Sequence, residues 1–266
     1  MEKSWRGRYG PWAVVAGGSR GLGAEYARQL AARGLSLVLV AEADQPLLDL
    51  ARGLEERHGI QVRAVVVDLA HPASVERVAR ACEGLEVGLL VCNAAHAPMG
   101  PFADQSLEDK LRVVDVNCRA PLALIHAFVP PMVSRGRGGI LLMSSLAGLQ
   151  GSALVAAYAA SKAFNLVLGE ALWEELRPRG VDVLAVCAGA TRTEAYEATA
   201  PRSMPLPVME PEAVVRQALA GLGRGPDIVA GSWNRLAAMV LRRLPRRLAV
   251  TLMGRSMRSS YPHRAG

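Results

Sequence analysis

The sequence predicts an α/β fold, a single doubly wound parallel sheet with helices on both faces and a helical extension at its C-terminal end. Three observations carry this. Short apolar runs alternate along the chain with longer stretches of helical period. Those at residues 35–41 and 87–92 are almost continuously apolar, as strands covered on both faces are. The first run opens into Gly17-Gly18-Ser19-Arg20-Gly21-Leu22-Gly23 and then a helix, the setting in which a glycine turn receives a phosphate. With 266 residues, 51% of them apolar, the chain has enough material for one substantial core.

Residues 12–16 form the first strand and residues 24–33 the first helix. Glycines between them let the backbone turn tightly and approach a ligand closely. The free N–H groups and positive end of the helix then face a pyrophosphate. Gly17, Ser19, Arg20, Gly21, Leu22 and Gly23 are therefore candidate cofactor contacts. The second strand, residues 35–41, ends at Glu42, about twenty residues past the glycine loop, where an acid commonly holds a ribose hydroxyl. A merely solvated carboxylate is the other reading of Glu42. Residues 46–58 read as helix, with Gly59 as its stop. The third strand, 62–67, leads to Asp68-Leu69, and a helix follows at 72–82. The fourth strand, 87–92, leads to Asn93-Ala94-Ala95, small enough to let an adenosine lie close to the backbone. Ser106-Leu107-Glu108-Asp109 has the form of a capping box opening a helix through Asn117. No element is assigned between Asn117 and the fifth strand at 140–143. A long helix at 157–179 and a sixth strand at 181–187 come next, the strand ending in Gly189, Thr191 and Thr193. Residues 194–211, with four prolines, read as an irregular substrate lid. A helix at 212–222 and a last strand at 227–230 close a catalytic domain of residues 1–231, and residues 232–266 form the extension. The glycine loop, Asn93, Ser145 and Gly189 all fall at carboxyl ends of strands, where an open α/β sheet binds its ligand.

The chemistry centres on Tyr158 and Lys162, one helical turn apart on one face. A free phenol, with a pKa of about 10, is a poor acid or base at neutral pH, and a neighbouring ammonium favours its ionised form. Ser145, thirteen residues earlier, offers a hydroxyl to the same reacting oxygen. Taken alone, a Tyr-x-x-x-Lys pair is common on solvated helix faces.

Charge and composition exclude other classes. Residues 1–11 are polar and charged, with no apolar segment of a signal peptide. Cys82, Cys92, Cys118 and Cys187 lack paired or metal-ligand spacing, which suits reduced thiols in a cytoplasmic protein, and no His/Cys/carboxylate cluster points to a metal. The net charge of +7 is a property of the extension. Residues 232–266 hold eight arginines and no acid, and removing those eight charges leaves about −1 for residues 1–231. A nucleic-acid-binding body is not indicated.

The ordered set Ala16-Gly17-Gly18-Ser19-Arg20-Gly21-Leu22-Gly23, Asp68-Leu69, Cys92-Asn93-Ala94-Ala95, Asn117, Ser145, Tyr158-x-x-x-Lys162 and Ala188-Gly189-x-x-x-Thr193 resembles the short-chain dehydrogenase/reductase family, over about residues 9–230. The resemblance implies a Rossmann-type sheet, an NAD(P)(H) cofactor and a small-molecule carbonyl or alcohol substrate. It also implies a homo-oligomer. It assigns catalysis to Asn117, Ser145, Tyr158 and Lys162. Lys162 would also hold the nicotinamide ribose, and Asn117 a water that leads from Lys162 to solvent. Asp68, Leu69, Asn93, Ala94, Ala95, Gly189, Thr191 and Thr193 join the glycine loop and Glu42 as cofactor contacts. The departures from the family pattern, Ala16, Cys92, Ala95 and Ala188, touch cofactor support and leave the proton chemistry intact. A dinucleotide-binding regulatory or scaffold protein on the same fold is the alternative. Glu42 tilts the expected cofactor towards NAD, while Arg20 pulls towards the 2′-phosphate of NADP.

In the extension, Leu236, Met239, Val240, Leu241, Leu244, Leu248, Leu252 and Met253 recur at helical steps among arginines, and Pro245 divides the stretch into two helices. Packing on its own domain, a dimer contact and attachment to an anionic membrane surface all fit this pattern. The unbalanced arginines favour the last, on the inner face of the membrane.

Overall fold

The computed structural model describes residues 5–199 and 207–261. Helix α1 (Trp5–Tyr9) precedes strand β1 (Trp12–Ala16), which runs into α2 (Gly21–Ala31) and β2 (Ser36–Ala41). The chain continues through α3 (Asp44–His58), β3 (Val62–Val66), α4 (Ser74–Ala81) and β4 (Val87–Cys92). α5 (Leu107–Val114), a π-helical turn (Asp115–Arg119) and α6 (Ala120–Arg135) follow as one helical run. β5 (Gly138–Ser145), α7 (Ala156–Leu176), β6 (Val181–Ala188), α8 (Glu194–Thr199), α9 (Pro211–Gly221) and β7 (Asp227–Val229) complete the sheet and its cover. α10 (Ser232–Arg243) and α11 (Arg246–Ser260) form the extension, with Pro245 between them as expected.

The strands make one parallel sheet in the order β3-β2-β1-β4-β5-β6-β7. The order reverses between β1 and β4, and a crevice opens there at the strands' carboxyl ends. Two apolar cores flank the sheet. One packs α2, α3 and α9 through Tyr26, Leu30, Leu47 and Leu219, and the other packs α4, α6 and part of α7 through Val78, Leu124, Phe128, Met132 and Leu176.

The structure departs from the sequence reading in three places. α6 occupies the stretch left unassigned. Pro121 sits in its first turn, where a proline's missing N–H costs nothing, and the buried Leu124, Phe128 and Met132 hold the helix on the sheet although Pro130 and Pro131 lie inside it. By length and composition Leu107–Arg135 could cross a membrane, but 44% of its apolar window is buried in this fold, and it is a core helix here. The start of the expected lid is helical, as α8, while the lid's residues 200–206 lie outside the described residues. The polar N-terminal segment contains α1, whose Trp5 and Tyr9 rings lie 4.7 Å apart at a 50° tilt and whose Tyr9 hydroxyl donates to Asp182 at 2.7 Å.

Candidate active site

The crevice is a cleft of about 810 Å³ whose wall begins at the glycine loop. Gly17 has φ +80°, and its N–H, like that of Gly18, donates to Val40 O. A Cβ at Gly17 would lie 2.6 Å from the backbone of Ala94, and one at Gly23 would lie 1.7 Å from Gly17 O, so no other residue fits either position. Asn93 ties the loop to β4, its Nδ2 donating to Gly17 O at 2.8 Å. Ser19, Arg20, Gly21 and Leu22 face the cleft with Gly17, and Gly23 packs beneath them. The N-cap of α2, Arg20, makes no side-chain cap, which leaves the first-turn N–H groups of the helix to a ligand. This cradle fits the pyrophosphate of a dinucleotide.

Glu42, Asp68 and Leu69 line the far end, and Ala94 and Ala95 the floor. Arg112 on α5 also lines this end, and the sequence reading missed it. Its guanidinium pairs with Asp68 at 2.8 Å and with Glu42 at 3.1 Å. The pairing with Arg112 and the Ala70 N–H hold the Asp68 carboxyl below its ordinary range, although burial opposes them. Nothing local distinguishes Arg112 from other helix arginines. Only the fold brings three chain segments to one point. Arg20 pairs across the cleft with Glu194 of α8 at 3.6 Å, and Thr193 lines the same side. Gly189 and Thr191 do not line the cleft. Thr191 is buried with its hydroxyl on Gly189 O, and Gly189 presses on Asn234 of α10, so both support the wall from behind.

At the reacting end Tyr158 lines the cleft, and the hydroxyl of Ser145 faces its phenol oxygen. Burial raises the Tyr158 phenol above its ordinary range and Ser145 offsets part of this. Lys162 is 3% exposed, with Nζ donating to Met143 O at 2.9 Å and lying 5.5 Å from the Tyr158 ring centre. Burial pushes it down to about 8. The sequence reading expected the neighbouring ammonium to lower the phenol; in this structure burial sets the direction, offset only by Ser145. Asn117 is fully buried in the π-turn. Its Oδ1 accepts from His96 N–H at 2.7 Å, and its Nδ2 donates to His96 O and to Ser161 Oγ, each at 2.9 Å. The side chain therefore clamps the loop after β4 to α7. Among the described residues no group of three or more His, Cys, Asp or Glu could hold a metal.

Residues 11–203 match the family model for short chain dehydrogenases. The chain belongs to the short-chain dehydrogenase family. It is 35% identical over 233 residues to a very-long-chain 3-oxoacyl-CoA reductase of Pyricularia oryzae, covering 86% of this chain and 70% of that protein. Among solved structures, one studied for 7beta-hydroxysteroid dehydrogenase stereoselectivity superposes with TM-score 0.88 at 26% identity, over 94% of this chain and 99% of the other. A short-chain dehydrogenase from Sphingobium yanoikuyae in complex with NADPH gives 0.76 at 34% identity, over 89% and 97%. Like these relatives, this short-chain dehydrogenase is an NAD(P)-dependent oxidoreductase acting on CH–OH or C=O groups.

Proposed function

We propose that this enzyme interconverts a bulky, apolar ketone and its secondary alcohol, with Tyr158 as the acid and base. The observation that carries the reading is the Ser145–Tyr158 pair at the end of a cleft with a pyrophosphate cradle at its other end. When bound, the nicotinamide cofactor supplies or accepts the hydride. Ser145 orients the substrate oxygen, and Tyr158 delivers or removes its proton. A phenol raised by burial stays protonated at neutral pH, which suits proton donation in the direction of reduction. Lys162, held against Met143 O, keeps a cation near that proton. The bulky-substrate reading draws on relatives named for very-long-chain 3-oxoacyl-CoA and 7beta-hydroxysteroids. Self-association is supported by the exposed Leu107, Leu111 and Val167 of α5 and α7.

The charges at the adenosine end bear on cofactor choice. Glu42 would repel a 2′-phosphate; Arg112 is shared between it and Asp68, and Arg20 pairs with Glu194, so two guanidiniums face three carboxylates at this cleft. The balance favours NADH, as Glu42 by itself suggests. The scaffold alternative predicts cofactor binding without turnover. Steady-state reduction of a panel of bulky ketones with NADH and with NADPH, for the wild type and Tyr158→Phe, tests both points. The expected result is a higher kcat/KM with NADH, and a loss of about a hundredfold or more in kcat for Tyr158→Phe. The thermal shift given by NADH should stay intact. A Tyr158→Phe enzyme that keeps most of its rate would remove Tyr158 from the acid/base role.

A further inference from the structure

α10 faces the opposite way from a helix that only packs on its own domain. It buries Asn234 and Ala238, while Trp233, Leu236, Met239 and Val240 are 61, 46, 47 and 48% exposed. The amphipathic helix of an ordinary domain does the reverse. Trp233, Leu236 and Val240 stand three and four residues apart and share one face, and Arg243 continues it. α11 repeats the arrangement. Ala249 and Gly254 are buried, Leu248 and Leu252 point outward four residues apart, and Arg255 follows three further on.

Charge selects what covers this face. On the domain side Arg242 pairs with Asp227 at 3.0 Å, with Glu170 near both. Arg235 bonds Gln217 and Val229 O, and Arg246 bonds Leu149 O at 2.8 Å. On the outer side, among the described residues, Arg243 reaches only Met239 O of its own helix, and Arg247 and Arg255 make no ion pair. Residues 232–266 contain no acid to balance them.

We propose that the outer face of α10 and α11 docks on an anionic lipid bilayer, with Trp233, Leu236, Val240, Leu248 and Leu252 entering the headgroup boundary and Arg243, Arg247 and Arg255 meeting lipid anions. Helices of 12 and 15 residues are shorter than the roughly 20 needed to span, so they lie in the plane of the membrane. A second copy of the chain is the competing occupant. A twofold contact sets a patch against itself, and here that opposes arginine to arginine with no acid between, which is repulsive. An anionic surface presents the opposite sign over the whole face. The reading is independent of the catalytic one, since none of these residues lines the cleft.

Co-sedimentation of the full chain with phosphatidylcholine vesicles, with and without phosphatidylglycerol, at low and at physiological salt, tests the proposal. Two variants accompany it, Trp233→Ser/Leu236→Ser/Val240→Ser and Arg243→Glu/Arg247→Glu, each checked for an unchanged circular dichroism spectrum and turnover in solution. Pelleting should require phosphatidylglycerol, weaken with salt and fall sharply in the triple variant. Each arginine near such a surface is worth about fivefold in partitioning, so the charge reversal should lower it by about 25-fold or more. Wild-type protein that stays in the supernatant with anionic vesicles at low salt overturns the proposal. So does equal pelleting on neutral vesicles. A triple variant that still pellets but sediments as a smaller particle in solution assigns the face to a second copy instead.

Discussion

Lys162 shows at the level of one residue how the site draws on stability. Its ammonium is buried against a single carbonyl, and burial brings it from 10.5 down to about 8. Below about pH 8 both the folded and unfolded chains bind this proton, and the cost of burying the charge is present in full. Between about pH 8 and pH 10.5 only the unfolded chain binds it, so stability rises with pH across that window, and above it the cost is gone. The span corresponds to something on the order of 3 kcal/mol. Urea unfolding of wild type and Lys162→Met from pH 7 to pH 10.5 checks this. The stability of the wild type relative to the variant should climb across the window. A difference independent of pH would mean that Lys162 keeps its ordinary proton affinity in the fold. The sequence did not show this cost, because a spacing of four residues reports proximity and says nothing about water.

Among the elements, the π-turn at Asp115–Arg119 is what places Asn117. One extra residue in a turn rotates the helix between α5 and α6, and such turns recur at functional sites. The amide of Asn117 then holds both backbone groups of His96 and the hydroxyl of Ser161. Asn117→Ala leaves those buried groups without partners and should cost about 2–4 kcal/mol in urea unfolding, with a fall in kcat. Ser161→Ala removes one of the three bonds and should cost about 1 kcal/mol. Equal losses for the two variants would show that the His96 bonds contribute little. The capping box that opens α5 was legible, and Ser106 Oγ accepts from Asp109 N–H at 3.0 Å. The continuation of the run was not, since prolines are local signals and the packing that overrides them is not.

Across the whole molecule, the extension and the site are joined at Gly189. A Cβ there would lie 2.5 Å from the amide nitrogen of Asn234, which in turn bonds Ala230 O at 2.8 Å. Gly189→Ala should therefore loosen α10 from the end of β6. Limited trypsin digestion should cut faster at Arg243, Arg246 and Arg247, while the body of the domain survives as in the wild type. An unchanged rate at those sites would mean that Asn234 moves aside freely.

The fold was legible because its evidence is local and repeated. Buried strands must be apolar, a dinucleotide cradle requires glycine at Gly17 and Gly23, and Tyr158 and Lys162 share a face by helical geometry alone. These features determine a doubly wound sheet and the end of it that binds. What only the tertiary structure decided depends on groups far apart in the chain. Arg112 meets Glu42 and Asp68 across separations of 70 and 44 residues and is shared between two carboxylates that the sequence left without a partner. Burial raises the Tyr158 phenol, which the spacing to Lys162 does not report. For the tail, periodicity finds an apolar face on α10, but whether that face turns inward or outward depends on the shape of the surface beneath it. Here Gly189 and the end of β6 accept Asn234 and Ala238, and the large side chains are left outside.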